Sequence, residues 1–369
     1  MGWLQPTNLD VEDSMSHSRP LNTMVENGPT VLWNDSANPE ELKESISYGA
    51  VGATCNPVIA LACIKADLPR WSARIRELAQ EMPTAGESEI GWKVVEEVSI
   101  DAAELLMPAF EKYKGVNGRL SMQTDPRLHR DADALVQQAV HFDSLMPNTI
   151  VKIPATSTGI VAIEEATYRG VCINVTVSFT VPQAVAAGEA IERGLKRREA
   201  EGLPVDEMGP VVTIMCGRLD DWLKKVYEKE KLCFDPGYLE WAGVAAFKEA
   251  YRIFGERGLR ARLLSAAYRN ALQWTEFVGG EVVISPPFAW QQRFQGSGID
   301  PEPRIDVPVD AQVLETLKTM PEFRKAYAVD GMTPEEFDDF GATRTTLRQF
   351  LQADADLDAL VRDILVPAP

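Results

Sequence analysis

Thr149-Ile-Val-Lys152-Ile-Pro154-Ala-Thr156 is a short β-branched run, apolar except for one lysine and ended by a proline. Such a run reads as a buried strand, because β-branched side chains pack well on a pleated sheet and proline stops the ladder. Working outward, comparable runs recur at Thr30–Asp35, Gly49–Thr54, Arg119–Gln123, Val171–Thr176, Val211–Met215 and Val282–Ser285, with a weaker one around Leu263–Tyr268. Helical patterns separate them. Strands alternating with helices are the signature of βαβ units and a parallel sheet. Several runs are apolar on both faces, as expected where helices cover one side and a barrel interior fills the other. Eight such units predict an α/β fold of the (β/α)8, or TIM-barrel, type.

The periphery has its own pattern. Residues 1–28 mix Ser, Pro, Asn and acids without period, which predicts a flexible N-terminal arm; residues 29–369 are read as one barrel domain. Leu357, Leu360, Val361, Ile364 and Leu365 follow i, i+3, i+4, i+7, i+8 spacing, so the C-terminus is a helix that must bury this stripe. The charged segment Lys196–Gly209 and the proline-rich segment Pro286–Pro308 look like surface insertions.

Composition narrows the function classes. The chain has 369 residues, 45% of them hydrophobic, and carries a formal charge of −18 from 55 acids and 37 bases. That field repels nucleic acid and anionic membranes. No apolar run approaches the roughly 18–20 residues of a membrane span. Met1 to Met15 lacks the apolar core of a signal peptide, so the expected location is cytoplasmic. Five scattered cysteines form no CxxC pair, and three histidines form no HExxH, so neither a disulfide framework nor a metal site is expected. Neither GxGxxG after the first strand nor GxxxxGK(S/T) occurs, which weighs against dinucleotide and nucleoside triphosphate binding.

Lys152 is the conspicuous residue. Its bland reading is a snorkelling side chain or a buried ion pair. In an α/β barrel, however, the C-terminal strand ends carry the active site, and Lys152 sits at such an end. Desolvation lowers a lysine pKa and supplies the free amine that imine formation needs. Other polar side chains fall at equivalent places: Asp35, Asn56, Gln123, Asn174, Thr176, Thr213, Arg218 and Arg269. Each alone has a structural explanation, such as turn chemistry for Asn56 before Pro57 or helix capping for Asp35. Their recurrence at one end of successive strands is the functional signal.

At this point the residues resemble a known family. Gly52-Ala-Thr-Cys-Asn56-Pro57 is similar to the transaldolase motif G-x-T-x-N-P. Arg119-Leu-Ser-Met-Gln123-Thr-Asp-Pro-Arg127 resembles its third strand, and Val151-Lys152-Ile-Pro-Ala-Thr156 its lysine strand. Ile173-Asn-Val-Thr176 with Ala184–Glu189, Cys216-Gly-Arg218-Leu-Asp-Asp-Trp222 and Ala267-Tyr-Arg269-Asn270 resemble the fifth, sixth and seventh units, in the family order. The resemblance implies a (β/α)8 barrel without metal or organic cofactor, and sugar-phosphate substrates. It also implies transfer of a dihydroxyacetone unit between ketose and aldose phosphates in the pentose phosphate pathway. Lys152 then matches the Schiff-base lysine and Asp35 the acid that removes the C4 hydroxyl proton. Asn56 and Asn174 match groups holding donor hydroxyls, and Thr176 a water-positioning hydroxyl. Thr213, Arg218 and Arg269 match phosphate contacts. Two planar guanidinium forks would reconcile phosphate binding with a charge of −18.

Three positions depart from the family. Gln123 stands where transaldolases carry glutamate, and an amide cannot exchange protons. Losing a general acid–base typically costs about 10²–10⁴-fold in rate unless another group substitutes. The small fructose-6-phosphate aldolases also carry Gln there, but with a sixth-strand tyrosine where this chain has Met215. Ala267 replaces a serine before Arg269. Three functions follow: a transaldolase, an aldolase that releases the cleaved unit without an acceptor, and a low-activity sugar-phosphate-binding relative. Monomer and homodimer both fit, and a nucleic-acid module fits neither the charge nor the motifs.

Overall fold

The computed structural model describes residues 19–368. Eight parallel strands form one sheet: β1 (Val31–Leu32), β2 (Gly52–Cys55), β3 (Arg119–Gln123), β4 (Thr149–Pro154), β5 (Ile173–Thr176), β6 (Val211–Met215), β7 (Arg262–Ala266) and β8 (Val283–Ser285). Their order, β1-β8-β7-β6-β5-β4-β3-β2, is that of a ring. The ring closes through Asn34, whose amide donates to the Gly52 carbonyl at 2.9 Å and whose carbonyl accepts from the Thr54 amide at 2.9 Å. The fold is therefore the (β/α)8 barrel that the strand pattern predicts, with every strand near its expected place.

The βα junctions are written in the sequence. Asn38 accepts from the amides of Glu40 and Glu41 to start the helix Pro39–Ser47, and Asn56 accepts from those of Val58 and Ile59 to start Pro57–Ala66. Thr156 and Thr180 cap Ser157–Tyr168 and Val181–Ala200 in the same manner. A short polar side chain satisfies amides that the first turn leaves unpaired, and proline at the first helical positions costs no hydrogen bond. The residue that caps the first of these helices is Asn38, so Asp35 is left to other work.

The period-2 alternation of a strand sorts the sheet into two sides. Trp33, Ile150, Cys172, Val211, Leu264, Ala266 and Val283 form the inner apolar cluster, while Leu120, Val151, Ile153, Val175, Ile214 and Ile284 join the larger core under the helices. Stepping two residues along β3, β4, β5 and β6, the inner side passes to Gln123, Lys152, Asn174 and Thr213. A polar mouth thus sits on an apolar floor.

Three peripheral expectations change. Residues 1–18 of the expected arm lie outside the described residues, but Pro20–Asn27 is a helix that buries Leu21 and Met24. The amide of Leu21 donates to Gln295 at 2.9 Å, tying this helix to Phe288–Gln295. The latter helix lies within the segment read as an insertion, and its Gln291 and Phe294 are buried. The charged segment Lys196–Gly209 is in its first residues the last turn of the helix Val181–Ala200. In the first two places a few buried contacts outweigh a composition that resembles loop; in the third the helix simply runs on from its buried part through Leu195.

The helix Gly341–Leu365 buries Leu357 and Val361 as its spacing predicts. Its main partners are the helices Glu87–Lys112, Pro57–Ala66 and Leu68–Glu81. At Gly91 the approach is close, since a Cβ there would lie 3.2 Å from the Leu357 Cγ. Truncation by Leu357→Ala should cost about 2–5 kcal/mol, as for other buried leucines. The check is a fall in the urea midpoint with an unchanged slope; an unaltered midpoint would show that the helix does not depend on this contact.

Candidate active site

Register places the inward polar side chains side by side. Gln123 pairs with Lys152 across β3–β4, Lys152 with Asn174 across β4–β5, and Pro154 with Thr176. Asn174 donates to the Ser121 hydroxyl at 2.8 Å and accepts from the Thr213 hydroxyl at 2.8 Å. Ser121 and Asn174 sit on strands separated by β4, so this bond crosses the barrel interior. Asn174 is thereby locked with its amide orientation set by two hydroxyls.

Lys152 is 5% exposed, and among the described residues its Nζ has neither hydrogen bond nor ion pair. Burial pushes its pKa below the ordinary lysine range; Asp35 and then Cys55 oppose this, and Arg218 reinforces it. Desolvation favours the neutral amine, which is the nucleophilic form. Asp35 comes from the end of β1, is half-buried, and accepts a hydrogen bond from the Thr54 hydroxyl. Gln123 Oε1, opposite Lys152, and Thr176 Oγ1, opposite Pro154, are buried without a protein partner among the described residues. A buried unpaired polar atom costs about 1–3 kcal/mol, so a cluster of them marks a place where water or a polar ligand serves.

Asn56 is engaged through Oδ1 with the amides of Val58 and Ile59 at 2.9 and 3.0 Å, which leaves its side-chain NH2 for other contacts. Met215 is buried in the core and Cys216 is fully buried, with its thiol pKa raised by burial, which makes it an inert packing thiol.

The two arginines lie apart from the lysine, over β6 and β7. Arg218 is on the first turn of the helix Cys216–Glu230, and its Nη1 donates to Thr346 Oγ1 at 3.3 Å and to Gln349 Oε1. Arg269 is exposed and grips Asp221 through Nε and Nη2, the shortest contact being 2.8 Å. Gly217 permits the two loops to meet, because a Cβ there would lie 2.0 Å from the Ala267 carbonyl oxygen. Ala267 itself takes the left-handed conformation, φ 62°, that turns the chain into Arg269. The amide of Arg269 is held by Gln273, which in turn donates to the buried Asp220 at 2.6 Å. Burial raises the Asp220 pKa well above the usual carboxylate range.

Between the arginines is a cavity of ≈ 100 Å³ with walls from Arg218, Lys225, Arg269, Thr345, Thr346 and Gln349. Thr213 is not in its wall; its hydroxyl serves Asn174 instead. A larger cavity, ≈ 620 Å³, lies at the opposite end of the barrel, against Arg262 and Leu263 at the start of β7 and the helix Ala242–Arg257. It holds none of these residues, so chemistry rather than volume locates the site.

Thr54, Ser121, Asp221, Thr346 and Gln349 escaped the sequence reading. The first two occupy strand positions where a hydroxyl reads as neutral filler. Asp221 lies inside a quoted motif without a distinguishing pattern, and the last two are on a distant helix whose polar face reads as solvated.

A barrel with a desolvated, unpaired lysine on β4 and a ring of polar groups at the same end is the molecule in hand. Its residues 32–349 match the family model described as transaldolase/fructose-6-phosphate aldolase, and the chain belongs to that family of enzymes. It is similar to the transaldolase of Thiobacillus denitrificans, 32% identical over 311 residues that cover 76% of this chain and 84% of the relative. Transaldolase 1 of Streptomyces avermitilis is 29% identical over 347 residues, 90% of this chain and 83% of the relative. The transaldolase of Thermobifida fusca is 28% identical over 275 residues, 69% and 68%. No helix among the described residues is long and apolar enough to cross a membrane.

The depressed Lys152 pKa has a consequence for stability. Between the lowered folded pKa and the unfolded value near 10.4, the unfolded chain binds more protons, so stability rises with pH through that window. Below the folded pKa the protein carries a buried, unpaired ammonium. Lys152→Met should therefore melt higher than the parent at neutral pH, and the gap should narrow as pH rises towards 10. Thermal melts across pH 6–10 measure this; a gap independent of pH would refute the desolvation account.

Proposed function

We propose that this protein is a transaldolase that moves a dihydroxyacetone unit between ketose and aldose phosphates, a step of the pentose phosphate pathway, through a Schiff base on Lys152. The observation that carries the reading is the Lys152 amine, buried and unpaired at the polar end of the barrel. The neutral amine adds to the ketose C2 carbonyl, and loss of water forms the imine. Asp35 takes the proton of the C4 hydroxyl, the C3–C4 bond breaks, and its electron pair flows into an enamine at the lysine. The shortened aldose phosphate leaves. The enamine then attacks the acceptor aldehyde, Asp35 returns the proton to the new alkoxide, and hydrolysis frees the lysine.

Asn174, locked by Ser121 and Thr213, and Asn56, with its NH2 uncommitted, are the groups suited to the donor hydroxyls. Gln123, opposite Lys152, and Thr176, opposite Pro154 further along, carry unpaired oxygens and would hold the water expelled and readmitted at C2. Arg218 and Arg269 would clamp the phosphate: Arg218 meets only neutral oxygens and Arg269 shares its charge with Asp221, so an anion between them is favoured. The protein would act in the cytoplasm on soluble sugar phosphates, without metal or cofactor, since the amine supplies the electron sink.

Gln123 favours a second reading, cleavage of fructose 6-phosphate without an acceptor. Glyceraldehyde 3-phosphate release from fructose 6-phosphate, with and without erythrose 4-phosphate, separates the two. Release that requires the acceptor, with a borohydride-stable adduct absent from Lys152→Ala, is expected for the transaldolase. Acceptor-independent release would make it an aldolase, and no adduct at all would exclude Schiff-base chemistry. Gln123→Glu should raise the transfer rate by roughly 10²-fold, since it restores a proton-exchanging group at the water; an unchanged or lower rate would refute that role.

A further inference from the structure

The C-terminal helix Gly341–Leu365 does more than bury its apolar stripe. Thr345, Thr346 and Gln349 fall at i, i+1 and i+4 on one face, and that face forms a wall of the cavity between Arg218 and Arg269. Its position is fixed independently of any ligand. A Cβ on Gly341 would lie 1.9 Å from Trp222 Cζ2, so the helix starts jammed against the same element that carries Arg218. Thr343 accepts from Gln183 at 3.3 Å. Further along, Arg127 of the β3 loop pairs with Asp354 at 3.0 Å. Thr346 is buried with its hydroxyl oxygen on Arg218, and the carboxamide of Gln349, itself exposed, reaches the same guanidinium.

We propose that Gln349 and Thr346 form a phosphate gate: their oxygens hold Arg218, and a sugar phosphate takes over that guanidinium while the two side chains turn to bind its oxygens. The proposal rests on the sugar-phosphate reading above and names the residues of this chain that complete that subsite. Arg218 has donors only, so the oxygen of the Gln349 carboxamide must face it, with the hydroxyl oxygen of Thr346 beside it. Those two oxygens stand where two phosphate oxygens would. A carboxamide also carries two N–H donors and a hydroxyl one O–H, so a rotation converts both side chains from acceptors for Arg218 into donors for phosphate. A neutral amide is suited to this exchange because it can be displaced; a carboxylate would hold the guanidinium in a charge-assisted pair. The surroundings supply the pull. Arg218, Arg269 and Lys225 face Asp221 alone among the acids of the wall, an excess of positive charge that an anion relieves. Burial and the neighbouring Arg269 both work against the Arg218 cation, so an entering phosphate gains more there than on open surface.

Inorganic phosphate is the direct probe, titrated calorimetrically against the full chain, with Michaelis parameters for fructose 6-phosphate measured beside it. Gln349→Glu should weaken phosphate at least tenfold and raise KM by a similar factor, with kcat falling less than threefold. Thr346→Val keeps the side-chain shape and removes the hydroxyl, and should weaken phosphate two- to fivefold; it decides the matter if Gln349→Glu fails to fold. Arg218→Gln serves as the reference for a lost clamp. If Arg218→Gln abolishes binding while both helix variants bind like the parent, the gate is refuted and the phosphate subsite stands. If the parent binds no phosphate, the subsite reading itself fails and takes the gate with it.

Discussion

A lysine ammonium cannot be carried into a protein interior without a partner unless something else compensates, and this barrel is arranged around that constraint. Lys152 projects from β4 with an apolar floor of Ile150, Cys172, Val211 and Leu264 beneath it and polar groups beside it. The cost of desolvation is the source of its chemistry, since the same burial that penalises the cation favours the free amine. Asp35 sets the limit: its charge draws the lysine back towards protonation, and on the proposed function that balance would suit a group that attacks a carbonyl and then carries charge as an imine. The rest of the mouth follows from holding that amine in register. Gln123 and Asn174 are its neighbours because parallel strands pair residue by residue, and Asn174 is rigid because Ser121 and Thr213 meet it across the interior.

A second constraint is the net charge of −18, which gives phosphate no long-range reason to approach. The molecule answers locally. Most of its arginines are consumed by surface acids, as Arg74 is by Glu77, Glu81 and Glu97, or Arg260 by Glu192 and Glu199. Arg218 instead meets neutral oxygens from the terminal helix. On the proposed function, a guanidinium free of acids at the polar end of the barrel is what would serve phosphate in an acidic protein, and the neighbouring Arg269–Asp221 pair fixes geometry more than it neutralises.

Much of this was legible beforehand for a physical reason. A parallel strand buried on both faces must be β-branched and apolar, and a helix start needs a cap, so eight strands and their junctions announce themselves locally at Ile150–Ile153 or Asn56–Pro57. Lys152 was legible because it violates the apolar rule. The flanks were less so: Leu21 meets Gln295 and Gln291 meets Ser45 and Asn34, partners hundreds of residues away, and nothing local distinguishes such residues from loop. Thr213 shows the limit within the site. Its hydroxyl is on an inward strand position, as expected, but its partner is Asn174 and not the arginine cavity.

By itself, the sequence determined the eightfold strand–helix alternation, the anomalous lysine at a strand end and the supply of polar residues at the others, because these are consequences of neighbours along the chain. Only the tertiary structure decided that Asn34 closes the ring on Gly52 and Thr54, that Lys152 stands unpaired among the described residues, and that a helix ending near residue 365 lays Thr346 and Gln349 on Arg218. Those facts depend on how distant segments pack, and packing is settled by the sum of many burials rather than by any pattern a single segment displays.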